Sequence, residues 1–438
     1  MIFYMLQFGK EAKKEAFDWR MIIVRKNRRK RHSGCLGGVL AFLCIIVGVI
    51  CISIAFSRED ENSFETVGFL TGGFENEDAP VFEENTISED EVTEDFYYGQ
   101  LNSEEEKTIY KEILQGILET RETIYLHASD GKTANTIFQS VLYDHPEIFW
   151  CDGNVISTSY SKSLFREAYV EFVPTYLYTG EEKERKQAEI EAAADVCIST
   201  ISEEATDYEK IKTVYEYLIN TVEYNLDAPD NQNIYSALAA KESVCAGYAR
   251  STQYLLGKLG IPCAYVTGTS TDSEGNVEDH AWNMVKCEGD WYFVDTTWGD
   301  PLFQQEEEES TVRAMTYDYL CCIEDTILKT HTLKEGFTYP ECGPDIWNYY
   351  RMNGMFYETY DRGAILNAMY ASIDSGNDCV VFKFANDEAY EQAHDEILGE
   401  LVREAASYLG RMYALREVYY SYEEAPSLDK LTIYWSYS

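Results

Sequence analysis

The stretch Ser243-Val-Cys-Ala-Gly-Tyr-Ala-Arg250 decides the fold of this 438-residue chain, because it places a cysteine at the start of a predicted helix. Core-compatible residues recur after Cys245 at helical spacing, and Gly260 followed by Pro262 ends the pattern. The first N–H groups of a helix lack backbone partners and carry the positive end of the helix dipole. We therefore predict that the Cys245 thiol favours its thiolate form and acts as a nucleophile.

Two downstream stretches predict an antiparallel hairpin. They are Asp279-His-Ala-Trp-Asn-Met-Val285 and Trp291-Tyr-Phe-Val-Asp-Thr-Thr-Trp-Gly-Asp300, separated by the turn signal Cys287-Glu-Gly-Asp290. Period-two alternation gives His280 and Asp295 each a defined face of its strand. If the two faces coincide, Asp295 orients the imidazole while the other ring nitrogen of His280 takes the thiol proton.

Each of these side chains alone has a simpler structural explanation. A cysteine at a helix start is often a small buried residue, a strand histidine often belongs to the core, and an aspartate before Thr-Thr often forms a turn. Only their joint arrangement predicts a thiol site. A degenerate site that keeps the three residues without activity is the alternative.

The three stretches, in this order, resemble the signature segments of the transglutaminase-like superfamily, in its membrane-anchored bacterial type. The resemblance covers about residues 207–301 and implies a papain-like α+β fold, in which the helix that bears the cysteine packs on an antiparallel sheet. It implies that Cys245 is the nucleophile, His280 the general base and acid, and Asp295 the orienting carboxylate. It also implies an upstream side chain that stabilises the oxyanion; Tyr235 is the candidate, with an ordinary core tyrosine as the alternative.

The resemblance further implies acylation of the cysteine by a glutamine side chain or a peptide carbonyl, followed by transfer to an amine or to water. We therefore expect an acyltransferase or cysteine peptidase acting on proteins, peptides or cell-wall material. The second hypothesis is a catalytically inactive module that binds such ligands in the same cleft. The sequence has no CxxC pair and no HExxH helix, and the calcium-dependent domains of animal relatives are not recognisable. No metal or cofactor is expected.

The charge distribution predicts a membrane topology. A net charge of −41 repels nucleic-acid phosphate and excludes nucleic acid as a partner. Six basic residues between 25 and 31 precede the uncharged apolar run 35–56, which is long enough to span a bilayer. The positive-inside rule then predicts a single pass with residues 57–438 extracytoplasmic; a cleaved signal sequence is the alternative.

Composition and periodicity divide the chain into six parts. Nine of the twelve cysteines lie outside the apolar run and show no regular spacing, so the disulfide pattern stays open. A capping box at Ser103 and Glu106 marks the start of the folded part. The predicted parts are a basic cytoplasmic segment (1–34), a transmembrane helix (35–56), an acidic disordered stalk (57–101), an N-terminal helical and mixed region (102–200), a transglutaminase-like core (201–345) and a small C-terminal α/β unit (346–438).

Overall fold

A computed structural model gives the fold of most of the chain. The described residues are 4–7, 21–23, 80–162, 167–272, 274–300 and 315–437. The first two elements, β1 (Tyr4–Gln7) and β2 (Met21–Ile23), pair antiparallel with each other. They continue one edge of the sheet of the C-terminal unit.

The N-terminal region packs helices on a small antiparallel sheet of order β3-β5-β4. The predicted capping box is confirmed, since the Ser103 hydroxyl accepts from the Glu106 N–H and starts the second helix of the region. The elements are α1 (Glu89–Val92), α2 (Glu104–Leu118), β3 (Ile124–Leu126), α3 (Gly131–Asp144), β4 (Cys151–Tyr160), β5 (Tyr169–Tyr176) and α4 (Gly180–Ile198).

The transglutaminase-like core has the predicted arrangement of a cysteine-bearing helix on an antiparallel sheet. Its elements are α5 (Asp207–Thr221), β6 (Glu223–Tyr224), β7 (Glu242–Ser243), α6 (Cys245–Lys258), β8 (Cys263–Thr271), β9 (Val277–Cys287), β10 (Asp290–Val294), α7 (Thr296–Gly299), α8 (Glu324–Ile327) and β11 (His331–Leu333). The sheet order is β10-β9-β8-β11 with every neighbouring pair antiparallel, and α6 packs on β8 and β9.

The C-terminal unit covers one sheet with helices. Its elements are α9 (Tyr349–Met352), β12 (Phe356–Tyr357), α10 (Arg362–Asp374), β13 (Cys379–Phe384), α11 (Asp387–Glu396), α12 (Val402–Met412), β14 (Glu417–Ala425) and β15 (Lys430–Tyr437). The strand order is β12-β13-β15-β14-β1-β2. A π-helical turn, Ile397–Leu401, joins α11 to α12, so the two helices form one helical stretch with a bulge.

Two of the hydrophobic clusters in the described part bear on the predicted boundaries. Ile113, Phe138 and Ile190 of the N-terminal region share one buried cluster with Tyr215 and Leu255 of the transglutaminase-like core. The predicted boundary at residue 200 therefore does not separate two hydrophobic cores. The C-terminal unit has a cluster of its own, formed by α10 to α12 and β13 to β15, as expected for a separate folding unit.

The prediction of a disordered stalk is wrong for residues 80–101. Val92, Tyr97 and Tyr98 are buried there, and the Asp144 carboxylate accepts hydrogen bonds from the Tyr97 and Tyr98 N–H groups at 2.9 Å each. The many acidic residues of this stretch suggested self-repulsion, but the buried aromatic side chains provide enough apolar area to dock it. Residues 57–79 of the predicted stalk lie outside the described residues.

The predicted membrane span, 35–56, also lies outside the described residues. None of the helices in the described ranges is long and apolar enough to cross a bilayer.

Candidate active site

Cys245 is the first residue of α6, as the sequence predicts. The preceding residue, Val244, has an extended backbone and provides no side-chain cap. The first N–H groups of the helix therefore face the site uncapped. Two residues later Gly247 packs against β7, where an added Cβ would lie 1.9 Å from Ser243 Oγ. The glycine in the Cys-Ala-Gly-Tyr stretch therefore allows the helix start to approach β7 closely.

His280 and Asp295 meet on one face of the predicted hairpin. His280 Nε2 and Asp295 Oδ2 are 2.6 Å apart, and both residues are buried. The register pairs Val294 with Asn283, so Asp295 follows the last paired residue and reaches His280 along a diagonal. The two faces therefore coincide, although the two residues are not directly opposite.

The local structure holds the Asp295 carboxylate at both oxygens. Asp295 is the N-cap of α7, and its Oδ1 accepts from the Trp298 N–H at 3.0 Å. Its Oδ2 meets His280 Nε2 and also His331 Nε2, the latter at 2.9 Å. Burial alone would raise the pKa of Asp295, but the charges and hydrogen bonds of the two histidines hold that pKa well below its usual range. The carboxylate is therefore ionised.

His280 is linked to both neighbours. Burial alone would lower the pKa of His280, but the charge and hydrogen bond of Asp295, followed by a side-chain hydrogen bond with Cys245, raise the pKa to about 10. Because Nε2 faces Asp295, Nδ1 is the ring nitrogen left for the thiol. The structure thus brings together the three residues that the sequence singled out.

Buried hydrogen bonds fix α6 against the hairpin and the helix that follows it. Asn283 Nδ2 on β9 donates to the Ala249 carbonyl on α6 at 2.9 Å. Further along α6, the hydroxyls of Thr252 and Thr296 are 2.9 Å apart. These contacts set the position of the cysteine relative to the imidazole and the carboxylate.

The prediction that Tyr235 stabilises an oxyanion is not supported by its position. Its hydroxyl donates to Glu189 Oε2 on α4 at 2.9 Å, and the Lys186 ammonium lies 3.5 Å from the centre of its ring. Tyr235 therefore packs against α4, which matches the alternative of an ordinary structural tyrosine.

Tyr224 occupies the place that Tyr235 was expected to take. The parallel pairing of β6 with β7 aligns Tyr224 with Ser243, two residues before the cysteine. The Cys245 backbone N–H donates a hydrogen bond to the Tyr224 hydroxyl. Burial, followed by the charges of Cys245 and Glu278, raises the pKa of Tyr224 well above its usual range, so the hydroxyl keeps its proton.

His331 is the residue of the site that the sequence did not reveal. It lies on β11, 36 residues after Asp295, and its side chain is completely buried. No spacing pattern connects it to the hairpin. The only available signal was a short alternating run next to Thr330, which predicts a strand but does not indicate which sheet it joins.

His280, Asp295 and His331 also form the one group within the described ranges whose ligand atoms lie close enough for a metal ion. Two ligands of a tetrahedral zinc, each about 2.0–2.1 Å from the metal, are about 3.3 Å apart. The imidazole nitrogens instead lie 2.6 Å and 2.9 Å from the same carboxylate oxygen. These distances are typical of charge-assisted hydrogen bonds.

The other cysteines differ from Cys245 in their surroundings. All nine in the described part are free thiols. Burial raises the pKa of Cys197 to about 11 and that of Cys151 to about 12. Such thiols stay protonated at neutral pH and are unreactive.

Comparisons with known proteins identify the family. A family model described as the transglutaminase-like superfamily matches residues 194–296. Kyphoscoliosis peptidase from Homo sapiens is 29% identical over 129 residues, which cover 26% of this chain and 20% of that protein. The protein of the same name from Mus musculus is 27% identical over the same length and shares of the two chains. This chain thus spans about a fifth of the length of these relatives.

Among solved structures, the crystal structure of a TGase is similar at 14% sequence identity and a TM-score of 0.24. The similarity covers 36% of this chain and 47% of that chain. The segment matched by the family model contains Cys245, His280 and Asp295. Residues 194–296 of this chain therefore carry a domain of the transglutaminase-like superfamily.

Proposed function

We propose that the protein is a thiol enzyme that transfers or hydrolyses acyl groups of peptides or proteins through a thioester on Cys245. The observation that carries the proposal is the buried hydrogen bond of 2.6 Å between His280 and Asp295, with the imidazole also hydrogen-bonded to a thiol at a helix start. A nucleophile, a base and an orienting carboxylate in this relation are the parts that covalent acyl transfer requires.

In the first half-reaction, the thiol proton already resides on His280 Nδ1, and the sulfur attacks the amide carbonyl carbon as a thiolate. The negative charge that develops on the carbonyl oxygen is stabilised by the Cys245 N–H and by the Tyr224 hydroxyl, which lie next to each other. The C–N bond then breaks, and the leaving nitrogen takes the proton from His280 Nδ1. A thioester on Cys245 and a free amine or ammonia result.

In the second half-reaction, an amine or water attacks the thioester. His280 Nδ1 takes a proton from the attacking group, and the sulfur leaves as the thiolate. Attack by an amine gives a new amide, while attack by water gives a carboxylic acid. The human and mouse relatives carry the name peptidase, and the similar solved structure is that of a TGase, so both outcomes are tested together.

An assay with a glutamine-containing protein and a labelled primary amine tests the proposal on the purified full chain. We expect label incorporation or peptide-bond cleavage, abolished in Cys245→Ala. Cys379→Ala serves as the matched control, because Cys379 is a partly exposed thiol in the C-terminal unit. If the wild type shows neither reaction and its Cys245 alkylates like an ordinary thiol, the proposal is rejected in favour of the inactive binding module.

We also propose an extracytoplasmic position for this site, behind a single span at 35–56. Six basic residues before an uncharged apolar run support it. Labelling intact cells with a membrane-impermeant thiol reagent, using single cysteines introduced at Gly9 and at Ser57, tests it. Labelling at Ser57 alone supports the span, whereas equal behaviour of the two positions contradicts it.

A further inference from the structure

Asp295 Oδ2 receives two imidazoles. The second comes from His331 on β11, the strand at the edge of the sheet beyond β8. The rings of His280 and His331 have their centroids 5.3 Å apart. The same carboxylate oxygen therefore serves both the histidine next to the thiol and a histidine that does not touch the thiol.

The hydrogen-bond network assigns the proton on His331. An ionised carboxylate only accepts, so His331 Nε2 carries a hydrogen and donates it. Nδ1 lies 2.8 Å from Thr330 Oγ1, which also lies 3.0 Å from the Tyr319 hydroxyl.

The side chains of Tyr319, Thr330 and His331 thus form a hydrogen-bonded chain that ends at Asp295. This chain holds the His331 ring at both nitrogens, with the Nε2 hydrogen directed at the carboxylate.

The backbone is shaped to bring His331 to this position. An added Cβ on Gly268 of β8 would lie 1.9 Å from the Thr332 carbonyl oxygen on β11. A side chain at residue 268 would therefore push away the strand that carries His331. Gly268 is also the residue of β8 paired with His280 of β9, so the close approach occurs at the level of the site.

We propose that His331 is a positioning residue, which fixes the Asp295 carboxylate so that Asp295 in turn holds the His280 imidazole towards Cys245. The proposal rests on the proposed function, because it assigns His331 a part in the activation of that thiol. The hydrogen bond from His331 prevents the Asp295 carboxylate from rotating away from His280. It also keeps the carboxylate ionised, although Asp295 and His331 are both buried.

Replacement of His331 by Gln and by Met tests this role. Both side chains are long and unbranched, so they disturb the packing to a similar degree, but only Gln retains an N–H donor at the end of the chain. The rate of Cys245 alkylation by iodoacetamide, read by mass spectrometry of the peptide that contains Cys245, is measured at neutral pH together with the melting temperature. Thr332→Val is the matched control, because Thr332 is the next residue of β11 and its side chain points to solvent.

We expect His331→Met to lower the alkylation rate about 10- to 100-fold, the loss associated with one hydrogen bond to a charged group. His331→Gln should recover most of this loss at a similar melting temperature, and Thr332→Val should match the wild type. In any acyl-transfer assay the Met variant should lower kcat and leave KM nearly unchanged. Equal rates for the Met variant and the wild type would overturn the proposal, as would equal losses in Met and Gln.

A second measurement keeps the proposal testable if the Met variant does not fold. In the wild type with ¹⁵N-labelled histidine, NMR should show a protected hydrogen on Nε2 of His331, with the signal assigned by its disappearance in His331→Gln. A His331 ring without a hydrogen on Nε2 would contradict the donation to Asp295. If wild-type Cys245 alkylates at the rate of an ordinary thiol, the proposed function is rejected. The NMR result on His331 does not depend on that function.

Discussion

The transglutaminase-like core and the C-terminal unit bury charged groups for different purposes. In the core, His280 and His331 converge on Asp295 beside the helix start that carries the nucleophile. The core of the C-terminal unit packs aliphatic and aromatic side chains, while its Lys430 reaches out to the buried Asp318 of the neighbouring region. The buried charges of the transglutaminase-like core are arranged around a thiol, whereas Lys430 of the C-terminal unit links that unit to the neighbouring region. Variants in the two regions should therefore differ in what they change.

The largest expected effect is on activity, from Asp295→Asn. Asparagine keeps the shape of the side chain but loses the negative charge and the oxygen that accepts from two imidazoles. By analogy with triads that lose their carboxylate charge, we expect kcat to fall about 10³- to 10⁴-fold. Alkylation of Cys245 across pH and the amine-incorporation assay measure the loss.

The control for this prediction is Asp361→Asn in the C-terminal unit. Asp361 caps α10 by accepting from the Ala364 N–H, and asparagine is an equally good cap. Its activity should match that of the wild type. Activity of Asp295→Asn close to the wild type would remove the distinction between the two regions.

The next effect is on stability, from Lys430→Met. Lys430 Nζ contacts Asp318 Oδ2 and lies 3.3 Å from Thr316 Oγ1. Removal of the lysine leaves the buried Asp318 carboxylate without this cation, which lowers the free energy of unfolding by about 3–5 kcal/mol. Urea unfolding measures the change, and the alkylation rate of Cys245 in the folded variant should stay close to that of the wild type.

The double variant with Asp318→Asn sharpens this prediction. Asparagine removes the uncompensated charge, so most of the lost stability should return. A double variant as unstable as Lys430→Met would show that the lysine acts through packing of its aliphatic chain.

The parts of the site that the sequence predicts are those that depend on neighbouring residues. Helical spacing after Cys245 and the turn signal at 287–290 are local patterns, and they place the cysteine and the hairpin strands correctly. Alternation gives His280 and Asp295 each a defined face of its strand and leaves open whether the two faces coincide. It does not predict the exact register, which pairs Asn283 with Val294 and makes their contact diagonal.

The remaining parts depend on pairings between distant segments. Tyr224 and Tyr235 both precede the cysteine, and only the pairing of β6 with β7 selects Tyr224. His331 reaches Asp295 because β11 joins the sheet next to β8, a choice that its short apolar run does not specify. Residues 80–101 pack against the folded part through Tyr97 and Tyr98. The acidic composition of that stretch does not predict this packing.

The two tyrosines provide a third prediction within the core. Tyr224→Phe removes the hydroxyl that contacts the Cys245 N–H, and we expect kcat to fall about 10²-fold, as for the loss of one oxyanion donor. Tyr235→Phe is the matched control, because it removes a hydroxyl that donates to Glu189 far along the chain on α4. The amine-incorporation assay compares the two. Equal losses of kcat, or a larger loss in Tyr235→Phe, would restore the prediction that Tyr235 stabilises the oxyanion.

The last expected effect is the pH dependence of stability, and it again separates the two regions. The pKa of His280 is raised to about 10 in the folded protein, against about 6.5 for an unfolded histidine. The folded state therefore binds more protons between these values, so the stability contributed by His280 is complete below about pH 6.5 and is lost as pH rises towards 10. One extra bound proton corresponds to a slope of at most about 1.4 kcal/mol per pH unit.

Urea unfolding between pH 6.5 and 10 should therefore show a smaller decline of stability in His280→Gln than in the wild type. His145, whose pKa is raised to about 10 by Asp95 and Glu147 against the opposing effect of burial, is present in both proteins, so its contribution cancels in the difference. His394→Gln is the control from the C-terminal unit. Glu424 and Asp395 raise the pKa of His394 despite some burial, but solvent reaches this side chain and screens the interaction. The control should keep a slope close to that of the wild type, because only the histidine of the buried site is held charged by a carboxylate that solvent does not reach.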